Sequence, residues 1–301
     1  MFYKIPMRKN VKRLVFLFAY FSSLLSLFAE SGLVLYVDAA AERTGREGTS
    51  DSPFDSLEQA IAAAHAYINR QGTPAKNAKQ EPVSIFLHSD VYVEDALFLT
   101  VPIRLSGVNR PAITFGENAG FVVGETSLEI RNCLIKRSER LTEPRTVPVL
   151  YGSHASIILN KVSITLNEGG DAVILRDSRL ACTDASLTSG QSAQAVLIRA
   201  RKSSVSAVRS TFTATGLMAL CFDFVKTQCT LTDTVCNLMP QYTGRVAELT
   251  DSTLKTRKLR CSYISPLFEM MDAAIIADNA SKVESSASFE LIGFTESLVR
   301  R

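Results

Sequence analysis

Acidic residues are missing from the first 29 positions of this sequence, no two of its six cysteines form a Cys-x-x-Cys pair, and beyond Phe28 no segment is apolar enough to span a membrane as a helix. Each absence removes a class of protein. Without paired cysteines at metal-ligand spacing, zinc ribbons are excluded. Without a second long apolar run, the body of the chain has no helical span. Without acids, the first 29 residues reduce to a basic stretch (Lys4, Arg8, Lys9, Lys12, Arg13), an apolar run from Leu14 to Phe28, and the small residue Ala29. That layout predicts a secretory signal peptide over residues 1–29, because an apolar run of about 15 residues falls short of the roughly 20 that a spanning helix needs. No cysteine lies near the cleavage point, so a lipoprotein anchor is not predicted.

A large excess of one charge is lacking as well. The chain has 33 basic and 30 acidic residues, and residues 1–29 hold five of the basic ones, which leaves the remainder two charges negative. Nucleic acid is therefore not expected as a partner. Export to the periplasm, the cell surface or the extracellular space permits disulfides, and Cys229 and Cys236 are the nearest pair in sequence. The six cysteines (133, 182, 221, 229, 236 and 261) nevertheless follow the apolar pattern, so they are read as small buried core residues.

What is present is a repeat. Short apolar segments end on a polar residue at Tyr151, Arg176, Arg199, Asp223, Glu248 and Glu269, spaced 25, 23, 24, 25 and 21 residues apart. A second ladder runs through Cys133, Val162, Ala185, Ser210, Thr234 and Cys261. Two strand signals per period, rich in Val, Ile, Thr and Ser, argue for β structure. The fixed leucine frame of leucine-rich repeats is missing. Stacked turns of this length predict an all-β, right-handed parallel β-helix of about seven to eight coils, a rod of roughly 35 Å. The expected organisation is one domain over residues 30–301. Residues 33–80 hold a leading strand, a helix and a loop, and residues 81–294 hold the coils. Asp55-Ser56-Leu57-Glu58 supplies an N-cap acid with Glu three residues on, and Leu57, Ala60, Ile61, Ala64 and Ile68 give one apolar face. Such a helix just before the first coil would cover the open end of the stack.

The leading residues carry a resemblance. Leu35-Tyr36-Val37-Asp38, Gly48-Thr49 and Pro53-Phe54-Asp55-Ser56-Leu57-Glu58-Gln59-Ala60-Ile61 resemble the segment that leads into the first coil of right-handed parallel β-helix proteins of the pectin-lyase-like superfamily. Pro82 to Leu87, Val91 to Glu94 and Ile103 to Gly107 resemble the coil that follows. The resemblance implies the fold over most of residues 34–290 and leaves the activity open, since the superfamily holds lyases, hydrolases, esterases, adhesins and silent proteins. Its catalytic signatures are missing. The only histidines, His65, His88 and His154, lie outside any Gly-His-Gly segment, no Asp-Asp pair occurs, and no short stretch of the coils gathers acids as calcium-dependent pectate lyases do.

The first ladder supplies the candidate site. Tyr151, Arg176, Arg199, Asp223 and Glu248 are expected to stack about 5 Å apart along the rod, near enough for Arg199 to pair with Asp223. Arg binds acidic sugars through its planar fork and Tyr offers a stacking ring. The leading expectation is an exported, non-catalytic protein presenting this face to a polysaccharide or to an envelope or extracellular protein, with no cofactor. The alternative is a pectate-type lyase. In that reading Arg199 or Lys202 acts as the base, and calcium, the one cofactor it needs, is held by Asp171 or Asp177. A surface spacer without any ligand is the third reading.

Overall fold

The computed structural model describes residues 32–41, 46–71, 80–137, 148–166, 171–190, 194–264, 274–287, 289–294 and 299–300; the expected signal segment and Glu269 lie outside them. The described chain is a right-handed parallel β-solenoid of about seven turns. Each complete coil contributes three strands, one to each of three faces, named here A, B and C in chain order. One coil reads Leu150–Ser153 on face A, Ser156–Asn160 on face B and Ser163–Thr165 on face C. The next reads Val173–Arg176, Arg179–Thr183 and Ser186–Thr188. Every strand pairs in parallel with its counterpart one coil away. From residue 211 the faces merge into long strands: Thr211–Val225 carries C and A, and Gln228–Thr250 carries B, C and A.

Alternation explains why these residues choose strands. In Ser156–Asn160 the side chains of Ile157 and Leu159 point inward and are fully buried, while Ser156, Ile158 and Asn160 face outward. Face B was the strand set that the two sequence ladders did not mark. Its inward residues are mixed (Leu180 and Cys182, Val205 and Ala207), so no single letter pattern repeats.

Between Glu125 and Lys258 two corners of each coil turn through one left-handed residue, while the earlier B-to-C corner uses two, Asn109 and Arg110. At the A-to-B corner these are Glu125, His154, Asp177, Lys202, Lys226 and Asp251, with φ between 47° and 54°. At the B-to-C corner they are Asn132, Lys161, Asp184, Arg209, Asp233 and Lys258, with φ between 47° and 55°. One such residue reverses the chain sharply, at a steric cost to any L residue other than Gly. Five of the six positions read as the second ladder are the inward residue just after this turn. The sixth is not: Leu259 follows Lys258, and Cys261 lies two residues further on.

Hydroxyls line the A-to-B corner from inside. The Ser178 backbone N–H donates to Ser203 Oγ (3.1 Å), Ser203 N–H to Thr227 Oγ1 (3.4 Å), Thr227 N–H to Ser252 Oγ (3.0 Å) and Ser252 N–H to Ser281 Oγ (2.9 Å). The hydroxyls of Ser178, Ser203, Thr227 and Ser252 each donate back to the carbonyl two residues earlier, at 2.6 to 3.0 Å. The corner amides, left without strand partners, are thereby satisfied.

Helix α1 (Leu57–Gln71) packs on the first strand and on the two strands Val91–Val93 and Leu97–Leu99, burying Leu57, Ala60, Ile61, Ala64 and Ile68 as the spacing predicts. Its cap is one residue later than expected. The Gln59 N–H donates to Ser56 Oγ (3.3 Å), while Asp55 pairs with Arg46 at 2.6 Å. Inside the rod, Phe212 meets Phe222 edge-on at 4.9 Å and Phe222 stacks on Phe224 at 5.4 Å. All six cysteines are buried free thiols in this core, and Cys236 lies directly opposite Cys261 on the next coil.

Candidate functional site

Face A presents its outward side chains in columns set by the coil register. One column runs Phe98, Val122, Tyr151, Ile174, Arg199, Asp223, Glu248, Ile276. Tyr151, Arg199, Asp223 and Glu248 are thus aligned as the spacing predicts. Arg176 is not. It stands two residues along, between Ser153 and Arg201, and Ile174 takes the expected place. A shift of two keeps every side chain on its own side of the strand, so the alternating pattern cannot reveal it.

Arg199 sits between two carboxylates. Its Nε donates to Asp171 Oδ2 at 2.9 Å, and its Nη1 donates to Asp223 Oδ2 at 2.7 Å. Asp171 comes from the residue pair just before Val173–Arg176, and Asp223 from the coil on the other side, so three coils meet in this clamp. The side chains of Asp171, Asp223 and Arg199 keep 19, 22 and 35 % of their exposure, which makes the group half-buried. Burial opposes the cation. The hydrogen bond that Arg199 donates to Asp171 and the charges of Asp171, Asp223 and Glu248 outweigh it and hold the guanidinium above its ordinary range.

One coil further, Arg245 Nη1 donates to Glu248 Oε1 at 2.9 Å. Together with Arg199 and Asp223 this pair walls a cleft of about 170 Å³ whose apolar surface comes from Val196, Leu220 and the exposed Met218. The sequence reading passed over Arg245 and this apolar floor. Face A begins with two consecutive inward residues (Leu197 and Ile198, Cys221 and Phe222, Val246 and Ala247), which breaks the alternation. Arg245 and Glu248 therefore both face outward at a spacing of three. The repeated apolar doublet is the signal that marks this.

Two coils toward the N-terminus, Arg176 Cζ lies 5.8 Å from the Tyr151 ring centroid, within cation–π range. Asp177 and Lys202 occupy neither place. Both are exposed left-handed residues on the A-to-B corner, across the sheet from the cleft. Asp171 and Asp177 do not converge, and Asp171 is engaged by Arg199. Among the described residues no group of three His, Cys, Asp or Glu is placed to hold a metal ion.

A general base must be unprotonated near the working pH, and Arg199 is held in its charged form by two carboxylates. Asp223 and Glu248 are each bonded to a guanidinium. Pre-set carboxylate and guanidinium edges over a small apolar floor are the usual means of fixing a polar ligand's orientation.

No family model matches the sequence, nor does any curated protein. Among solved structures, the chain is similar to the GH136 lacto-N-biosidase from Eubacterium ramulus, with a TM-score of 0.38 and 10 % identity over 95 % of this chain and 72 % of that one. It is also similar to WceF of Pantoea stewartii, a glycan biofilm modifying enzyme with a bacteriophage tailspike-like parallel β-helix fold. There the TM-score is 0.34 and the identity 14 %, over 78 % of this chain and 39 % of that one. The A-module of the Azotobacter vinelandii mannuronan C-5 epimerase AlgE4 gives a TM-score of 0.30 and 12 % identity over 87 % of this chain and 98 % of that one. These likenesses are of architecture alone.

Proposed function

We propose that this chain is an exported, non-catalytic β-helix protein that binds glycans along face A, with the cleft of Arg199, Asp223, Arg245 and Glu248 as its specific subsite. The observation that carries the reading is that cleft. Two fixed guanidiniums and two carboxylates face vicinal hydroxyls while Leu220 and Val196 meet the apolar side of a sugar ring. At about 170 Å³ it holds about one ring rather than a buried oligomer, since pockets for drug-sized ligands run to ~300–1,000 Å³. The rest of an extended chain would lie over Ile174 and the Tyr151–Arg176 pair, along the same column. Export rests on the basic and apolar layout of residues 1–29.

The test is calorimetric titration of the purified protein with a panel of neutral and acidic oligosaccharides, run beside ultraviolet absorbance with calcium present. The expected result is binding without new unsaturated sugar ends. Arg245→Ala should weaken that binding by about tenfold, a loss of ~1.4 kcal/mol. Unsaturated products would overturn the non-catalytic reading in favour of the lyase. Binding that is indifferent to Arg245→Ala would move the ligand away from the cleft.

A further inference from the structure

The two corner ladders carry charges and treat them in opposite ways. On the B-to-C corner the signs alternate through Lys161, Asp184, Arg209, Asp233 and Lys258. They pair: Arg209 Nε and Nη2 hold Asp184 at 2.7 and 2.9 Å, and Lys258 reaches Asp233 at 3.4 Å. On the A-to-B corner like charges follow one another. Lys202 and Lys226 take successive rungs, their amides donating to the Val225 and Thr250 carbonyls of the coil beyond. One residue back, Arg201 lies directly against Arg176. Arg179 begins face B on the same corner, opposite Ser204.

Arg179, Arg201, Lys202 and Lys226 are exposed, and among the described residues none of them makes an ion pair. Asp177 is the one carboxylate on these three left-handed rungs, and Glu125 and Asp251 bound the basic stretch on either side. Like charges directly opposed on adjacent strands lower stability. The Arg176–Arg201 and Lys202–Lys226 stacks therefore work against the fold, while the other corner shows how the same positions are filled when only stability is served.

A trough of about 640 Å³ runs beside Arg179 and Lys202, lined also by the hydroxyls of Ser127, Ser156 and Ser204, by the carboxylates of Glu125 and Asp177 and by His154. We infer that this corner is a second binding site, for a linear polysaccharide bearing an anionic group on each sugar and lying along the rod axis. Successive coils advance about 4.8 Å, close to the advance per sugar of an extended polysaccharide, so three successive rungs offer cations to successive sugars: Arg179, then Arg201 and Lys202, then Lys226. Arg179 and Arg201 supply planar forks, Lys202 and Lys226 point charges, and the serines hydrogen bonds to sugar hydroxyls. Single-stranded nucleic acid is disfavoured because the trough offers one aromatic ring, His154, and no row of rings on which successive bases stack. The inference does not rest on the cleft, which lies across face A.

The experiment measures binding of the full chain to polygalacturonate, dextran sulfate, neutral dextran and a single-stranded DNA. The first two separate carboxylate from sulfate recognition. Both charged polysaccharides, or one of them, should bind with an affinity that falls about tenfold or more between ~50 and ~200 mM salt, as release of several counterions requires. Neutral dextran should not bind. The triple variant Arg179→Ser, Lys202→Ser, Lys226→Ser, with an unchanged circular dichroism spectrum, should lose most of that affinity. Lys136→Ser, on the outer surface of face C, should leave it intact, whereas loss on Arg245→Ala with retention by the triple variant would assign the binding to the cleft and overturn the corner. Full retention by the triple variant, equal binding of neutral dextran, or equal binding of the DNA would each overturn the assignment.

Discussion

Ser203 shows how much one small side chain decides. Its Oγ accepts the Ser178 amide from the coil before and donates to the Arg201 carbonyl, while its own amide donates to Thr227. It is 7 % exposed, so water does not replace these partners freely. Removing the hydroxyl in Ser203→Ala leaves a buried amide and a carbonyl short of a partner, which costs about 1–3 kcal/mol. Chemical denaturation should show that loss. Ser203→Thr, which the next rung already tolerates as Thr227, should restore most of it. An alanine variant as stable as the parent would mean that the ladder contributes nothing. The sequence reading passed over the serines and threonines at these places. Their role depends on an amide 25 residues away.

At the scale of elements, the helix was legible and the strand register was not. The inward face of α1 follows from five apolar residues at helical spacing, a property of the chain taken 15 residues at a time. That face meets the first strands, so its loss uncovers the end of the stack. Ile61→Asp should therefore destabilise the domain by at least about 3 kcal/mol, since it buries a charge where an apolar side chain packed. It should also produce association visible in light scattering, because the end strands then lack a cover. A stable, monomeric Ile61→Asp protein would remove the cap role. The register is a different matter. Segments 172–176 and 195–199 look alike as Ala-Val-Ile-Leu-Arg and Ala-Val-Leu-Ile-Arg. The structure nonetheless aligns Val173 with Ile198 and Arg176 with Arg201. The corner hydrogen bond from Ser178 to Ser203 fixes that alignment. The alternative would set outward Ile174 against buried Leu197, so the inward doublets Ala172–Val173 and Leu197–Ile198 agree with the observed register.

Across the whole molecule, the continuous core gives the protein a common response to alkali. Burial pushes the thiols of Cys133 and Cys182 up to about 12 from an ordinary value of 9.0, and raises those of Cys229 and Cys236 as well. The folded state thus keeps its protons where the unfolded state loses them. The stabilisation is complete below pH 9 and is withdrawn as pH climbs from 9 toward 12, at about 1 kcal/mol per pH unit for each such thiol. Melting temperature should fall progressively over that range. Cys182→Ala should flatten the slope by about one thiol's share, whatever it does to stability at pH 7. A slope unchanged by the substitution would mean that other groups govern the alkaline limb.

The sequence by itself determined the class of fold, the end-covering helix and the burial of the cysteines. Each follows from where apolar residues recur along the chain, and periodic burial is a local property. Only the tertiary structure decided which polar residues meet. Arg199 finds Asp171 and Asp223, 28 and 24 residues away, because the corner hydroxyls fix one coil against the next. The same register places Arg176 against Arg201 rather than Arg199 and gathers unpaired cations on one corner. A stacked coil fixes its interior through sequence that any coil can share, but its outer surface through an alignment that only the folded neighbours set.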